Sequence, residues 1–120
     1  MARALFSGFF YEVYLKEFHA HLYFDHTSLA IANEIVELAK SESIFSVGRL
    51  HEKNVGPHPM WSCQLLFETQ DIKDAMLWLL INRRNLTWFI HPLSGDDLKD
   101  HSDYAIWMGE KYNLNLSMFN

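Results

Sequence analysis

The sequence predicts an α+β fold of the βαββαβ type, on three observations. Four segments alternate apolar and polar residues at period two, the mark of half-buried strands. Two other segments repeat apolar residues at helical spacing. Their order along the chain is strand, helix, strand, strand, helix, strand, which is the split βαβ pattern.

The totals agree with one folded domain. The chain has 120 residues, 49% hydrophobic and 15% aromatic, enough for a packed core and too apolar for disorder. Ten basic against 15 acidic residues give a net charge of −5, which argues against a nucleic-acid partner that needs a basic patch. A single cysteine, Cys63, excludes an internal disulfide and fits a reducing, cytoplasmic setting. No apolar run is long enough to span a bilayer.

The elements follow in order. Residues 1–16 read as an N-terminal arm or a short extra strand, because Phe9, Tyr11, Val13 and Leu15 alternate. Glu12 interrupts that apolar run and no small-residue cleavage site follows, which argues against a signal peptide. Residues 17–120 read as a single domain. Within it, Phe18-His19-Ala20-His21-Leu22-Tyr23-Phe24 alternates strictly and is the first strand. Asp25, Thr27 and Ser28 are N-cap candidates for a helix over 28–42, where Ile31, Ile35, Leu38 and Ala39 form the apolar face. Residues 44–52 read as the second strand, with Phe45, Val47, Arg49 and His51 on one face.

Lys53 to Pro59 is a connecting loop whose two prolines restrict His58, either as a stiff turn or as a means of holding that imidazole. Residues 60–68 are the third strand, with Trp61, Cys63, Leu65 and Phe67 on its apolar face. Asp71 can cap a helix over 71–82, and residues 86–91 are the fourth strand. Beyond it, Asp96 or Asp97 can cap a third, C-terminal helix. Leu98, His101, Ala105 and Met108 share its face, His101 points inward, and Gly109 stops it.

This order makes a four-stranded antiparallel sheet, spatial order 4-1-3-2, with the first two helices on one face. The helix side takes Phe18, Ala20, Leu22, Phe24, Cys63, Leu65 and Phe67. The open side takes His19, His21, Tyr23, Arg49, His51, Ser62, Gln64, Phe89 and His91. His-x-His on a strand projects two imidazoles from one face, a geometry for two ligands of one metal ion or simply two surface histidines. The end of strand four meets the start of strand one, so His91 joins them and favours the metal. His58 lies toward the far end of strand one. It reaches the group only if its loop folds back over the open face or enters a second subunit. Tyr23 and Phe89 on that face call for a cover, either the chain termini or a homodimer partner.

The run 18–24, the loop Gly56-Pro57-His58-Pro59 and His91-Pro92-Leu93-Ser94-Gly95-Asp96-Asp97-Leu98-Lys99-Asp100-His101, with Trp107 and Gly109, together resemble the small DOPA 4,5-dioxygenase family. The resemblance covers roughly residues 17–109. It implies a ferredoxin-like fold and extradiol cleavage of a catechol such as DOPA with non-haem Fe(II) and O₂. Such chemistry needs an ion with several open positions, so the expected ligands are His19, His21 and His91. Iron sites of this kind usually carry two histidines and a carboxylate, and Asp96 or Asp97 could replace one imidazole. A nearby acid/base must take a catechol proton and later return one. His58 is the first candidate and His101 the second. Tyr23 could hydrogen-bond bound oxygen. Arg49 could pair with a substrate carboxylate, or be a solvated charge on an edge strand, and Gln64 is a further substrate contact. Zn or another divalent ion could stand in for iron in the purified protein. Two other readings stay open on the same fold: a metal- or small-ligand-binding module without catalysis, and a dimerisation domain whose histidines are surface residues.

Overall fold

The computed structural model describes residues 14–119. The arm or extra strand expected over 1–16 lies, up to residue 13, outside the described residues. From residue 17 the order is β1 (Glu17–Phe24), α1 (Leu29–Lys40), β2 (Ser46–His51), β3 (Trp61–Glu68), a 3₁₀ turn (Thr69–Asp71), α2 (Ile72–Asn82), β4 (Thr87–Pro92), α3 (Asp97–Asp100) and β5 (Ile106–Met108). The strands form one sheet in the order β2-β3-β1-β4-β5, and all neighbours are antiparallel. No helix among the described residues is long and apolar enough to cross a membrane.

The core lies between the sheet and the two long helices. Phe18, Ala20, Leu22 and Phe24 from β1 pack with Cys63, Leu65 and Phe67 from β3 and with Trp88 and Ile90 from β4. Ala32, Ile35, Val36 and Ala39 of α1 and Ala75 and Leu79 of α2 close over them. Trp88 buries its ring and satisfies its indole N–H on the Leu79 carbonyl at 3.0 Å, which ties β4 to α2. Burying this side of β1 and β4 fixes the pairing register, because a one-residue slip would turn every apolar side chain away from the helices.

Two expectations are corrected. The chain after His91 does not continue as a long third helix, and the sheet has five strands rather than four. Asp96 caps only a single turn, its carboxylate accepting the Lys99 N–H at 3.1 Å. Residues 106–108 then pair with β4: Trp88 with Met108, Phe89 with Trp107 and Ile90 with Ile106. β4 is buried along its whole length, so its outer row of backbone groups needs a partner, and β5 supplies it. A further correction concerns β2. Its register shifts between Val47, opposite Leu65, and Leu50, opposite Cys63. The bulge reverses the alternation, so Val47 and Leu50 both pack against the core while His51 pairs with Ser62.

Candidate metal centre

The open face of the sheet carries the chemistry. β1 and β4 pair His19 directly with His91, and His21 with Phe89. His21 lies one pleat along from His19 on the same face. The three imidazoles therefore converge, as the strand order requires: one ring nitrogen from each of His19, His21 and His91 lies within 4.8 Å of the others. His21 and His91 are buried, and His19 is half-buried.

The hydrogen bonds set the tautomers. His91 Nδ1–H donates to the Pro92 carbonyl at 2.8 Å, so Nε2 of the neutral ring is a bare acceptor. It faces His21 Nε2 at 3.1 Å. In the metal-free pair the proton between them sits on His21. Burial pulls His91 down to about 3 and His21 well below the usual imidazole range, with the neighbouring histidines adding to the His21 shift. His19 is lowered too, chiefly by burial, against the opposing pull of Glu17. Three neutral imidazoles are three available lone pairs. Two nitrogens each about 2.1 Å from one ion stand about 3.0 Å apart at a right angle and about 3.4 Å apart at the tetrahedral angle. The 3.1 Å contact falls between these values, so once the His21 proton moves to Nδ1 this pair has the spacing of two ligands of one divalent ion, and a His19 nitrogen lies within 4.8 Å of the group.

Asp96 and Asp97 are exposed and outside this group. Asp96 is committed to its helix cap. The usual carboxylate of such iron sites therefore has no counterpart here among the described residues.

His58 does reach the site, because its loop folds back over the sheet. Its ring lies 4.2 Å from that of His21, and its Nδ1 is 2.7 Å from the Tyr23 hydroxyl. Burial lowers His58 to about 4 and raises Tyr23 well above the ordinary phenol value. The Tyr23 hydroxyl is engaged by His58 rather than pointing into open space. His101 lies above His91 with ring centroids 4.2 Å apart, and its Nδ1–H donates to the Asp97 carbonyl at 2.7 Å. Gln64 sits opposite His21 across β3. Arg49 is exposed at the β2 bulge, with β3 between its strand and β1.

The cover comes from the chain itself. Tyr23 and Phe89 are 1% and 0% exposed within one chain, so the face expected to need a cover has one. Trp107 of β5 packs on Phe89 at 4.7 Å. The segment after β5 crosses the same face: Tyr112 meets Tyr23, the Asn115 N–H donates to the Pro57 carbonyl at 2.9 Å, and Phe119 stacks on His101 at 4.4 Å. A chain terminus is one of the two covers expected for this face, but 110–119 has no periodicity that would say which of its residues make the contacts. The spaced aromatics Tyr112 and Phe119 were the only hint.

The arrangement has relatives. A curated DOPA 4,5-dioxygenase from Amanita muscaria is 27% identical over 112 residues, covering 86% of this chain and 49% of the fungal protein. An uncharacterised 21.2 kDa protein of Botryotinia fuckeliana is 36% identical over 78 residues, 58% of this chain and 43% of that protein. The chain thus spans about half the length of the curated relatives it matches. A crystal structure from Nostoc punctiforme, of a protein assigned as a dioxygenase, superposes with a TM-score of 0.83 at 33% identity, covering 88% of this chain and 91% of that one. The model of the Dopa 4,5-dioxygenase family matches residues 18–118, which include every histidine of the cluster, and the chain belongs to that family.

Proposed function

We propose that the protein is an extradiol dioxygenase that opens the ring of a catechol such as DOPA, with Fe(II) on His19, His21 and His91 and O₂ as co-substrate. The observation that carries this reading is the convergence of three neutral imidazoles beside a fourth, His58, held by a tyrosine. His19, His21 and His91 would hold the ion, and a three-nitrogen set would leave it room to bind a catechol and O₂ together.

The chain's own groups supply binding, water exclusion and proton transfer. His58 is neutral at pH 7, since burial holds it at about 4, so Nε2 can take a catechol proton. In that tautomer Nδ1–H donates to the Tyr23 oxygen. When Nε2 has taken the proton, both ring nitrogens carry one, and Nδ1–H still donates to the Tyr23 oxygen. The same contact serves both states, so His58 can accept a proton and return it without leaving Nδ1 unpaired. Tyr23 therefore positions His58 rather than meeting oxygen itself. Phe89, Trp107 and Tyr112 wall the site with aromatic rings, and Gln64 is the β3 residue paired with His21. Arg49, with β3 between its strand and β1, would pair with a carboxylate at the far end of the substrate rather than act at the three histidines.

The test is anaerobic loading with Fe(II), then DOPA and air. A yellow semialdehyde-type product with oxygen uptake supports the reading. Tight zinc binding with no oxygen consumption on any catechol would support a metal-binding module without catalysis instead.

A further inference from the structure

Asp100 is the only buried carboxylate among the described residues, at 1% exposure, and neither the metal cluster nor the proton path uses it. Its Oδ2 accepts the Ser94 N–H at 3.0 Å and its Oδ1 accepts the Ser94 hydroxyl at 2.5 Å. A buried carboxylate is costly unless it is hydrogen-bonded, so these two contacts define its place. They also close the segment 91–101 on itself. One end of that segment is His91, tied to Pro92; the other is His101, tied to Asp97. The two rings lie 4.2 Å apart, centroid to centroid, and are tilted by 38°. Near the first end, the Leu93 N–H donates to the Glu17 carbonyl at 3.0 Å and anchors the segment to β1. The second end belongs to a single helical turn, too short to hold its own direction. Asp100 is the cross-brace that joins this turn to the anchored end.

We propose that Asp100 is a positioning residue: through Ser94 it holds His101 against His91. It acts on His101, not on the metal ligands. The kinetic arm of its test rests on the ring-cleavage reading; the spectroscopic arm does not.

In metal-free protein labelled at histidine nitrogens, the Nδ1–H of His101 and that of His91 are both hydrogen-bonded to carbonyls and serve as a matched pair. Asp100→Asn should speed exchange of the His101 proton about tenfold or more and leave the His91 proton unchanged. Ser94→Ala, which removes one of the two contacts, should give a smaller effect of the same kind and guards against a misfolded Asp100 variant. Zinc affinity by calorimetry should stay within about threefold, and kcat with DOPA should fall about 10- to 100-fold, as for other supporting contacts of active-site groups. In a His101→Gln background Asp100→Asn should cost no further kcat. Equal exchange changes at both histidines, no change at either, or a loss of zinc affinity parallel to kcat would each overturn the proposal. If the wild type opens no catechol ring, the function fails while the exchange measurement still decides the brace.

Discussion

The Tyr23 hydroxyl and His58 Nδ1 lie 2.7 Å apart, although 35 positions separate them in the chain. This contact brings the loop between β2 and β3 back over β1. Tyr23→Phe removes it and leaves a buried ring nitrogen without a partner, at a cost of about 1–3 kcal/mol. The variant should bind metal normally, melt earlier and lose about tenfold or more in kcat with KM little changed. Wild-type kcat in the variant would mean that His58 needs no orientation from Tyr23.

The ligands separate from the proton-transfer group by metal content. His21→Asn and His91→Asn should each lower zinc or iron affinity by on the order of 100-fold or more, because each removes one of three donors. His58→Gln should retain the metal and lose turnover. Metal analysis of the three proteins, purified side by side, is the measurement. Full metal in the His91 variant would exclude the three-histidine centre.

Much of this site was legible because it depends on parity and strand order. His19 and His21 share a face through the two-residue period, and His91 joins them through antiparallel pairing of β1 with β4, which burial of Phe18, Ala20, Trp88 and Ile90 enforces. What was not legible depends on long-range closure. The path of the loop carrying His58 is set by Tyr23 and by the Asn115 contact to Pro57, neither of which has a local signal. Residues 98–108 fit a helical period, yet the buried outer edge of β4 draws 106–108 into the sheet. The bulge in β2 hid in a run that alternates well enough without it.

Gly109, expected to stop a helix, instead follows β5 at a close approach. Its φ is +100°, and a Cβ there would lie 2.6 Å from Arg83 Nη1 and 2.9 Å from Thr87 Oγ1. Thr87 Oγ1 also accepts the Glu110 N–H at 2.9 Å, which starts the tail on its course across the open face. Gly109→Ala should destabilise by about 1–3 kcal/mol through strain and displacement of that contact. Urea unfolding measures it. A change under about 0.5 kcal/mol would show that the chain relaxes freely there.

The depressed imidazoles make stability depend on pH in a definite direction. His21, His58 and His91 are all held below the ordinary value of 6.5, His58 at about 4 and His91 at about 3, mainly by burial. Below pH 6.5 the unfolded chain binds protons at these positions that the folded chain refuses. Stability of the metal-free protein is therefore whole above pH 6.5 and falls as pH drops toward the folded values. Each fully depressed imidazole contributes a slope of up to about 1.4 kcal/mol per pH unit. Urea unfolding between pH 7.5 and 4.5, with chelator present, should show a steep decline. His91→Gln should flatten that decline by up to one imidazole's share, since glutamine does not titrate. A metal bound at the cluster should add stability that also weakens with acid, because protons compete for the same nitrogens. A flat profile from pH 7 to 5 in the metal-free protein would mean that the cluster is open to water and charges freely, and the case for three neutral donors waiting for a cation would go with it.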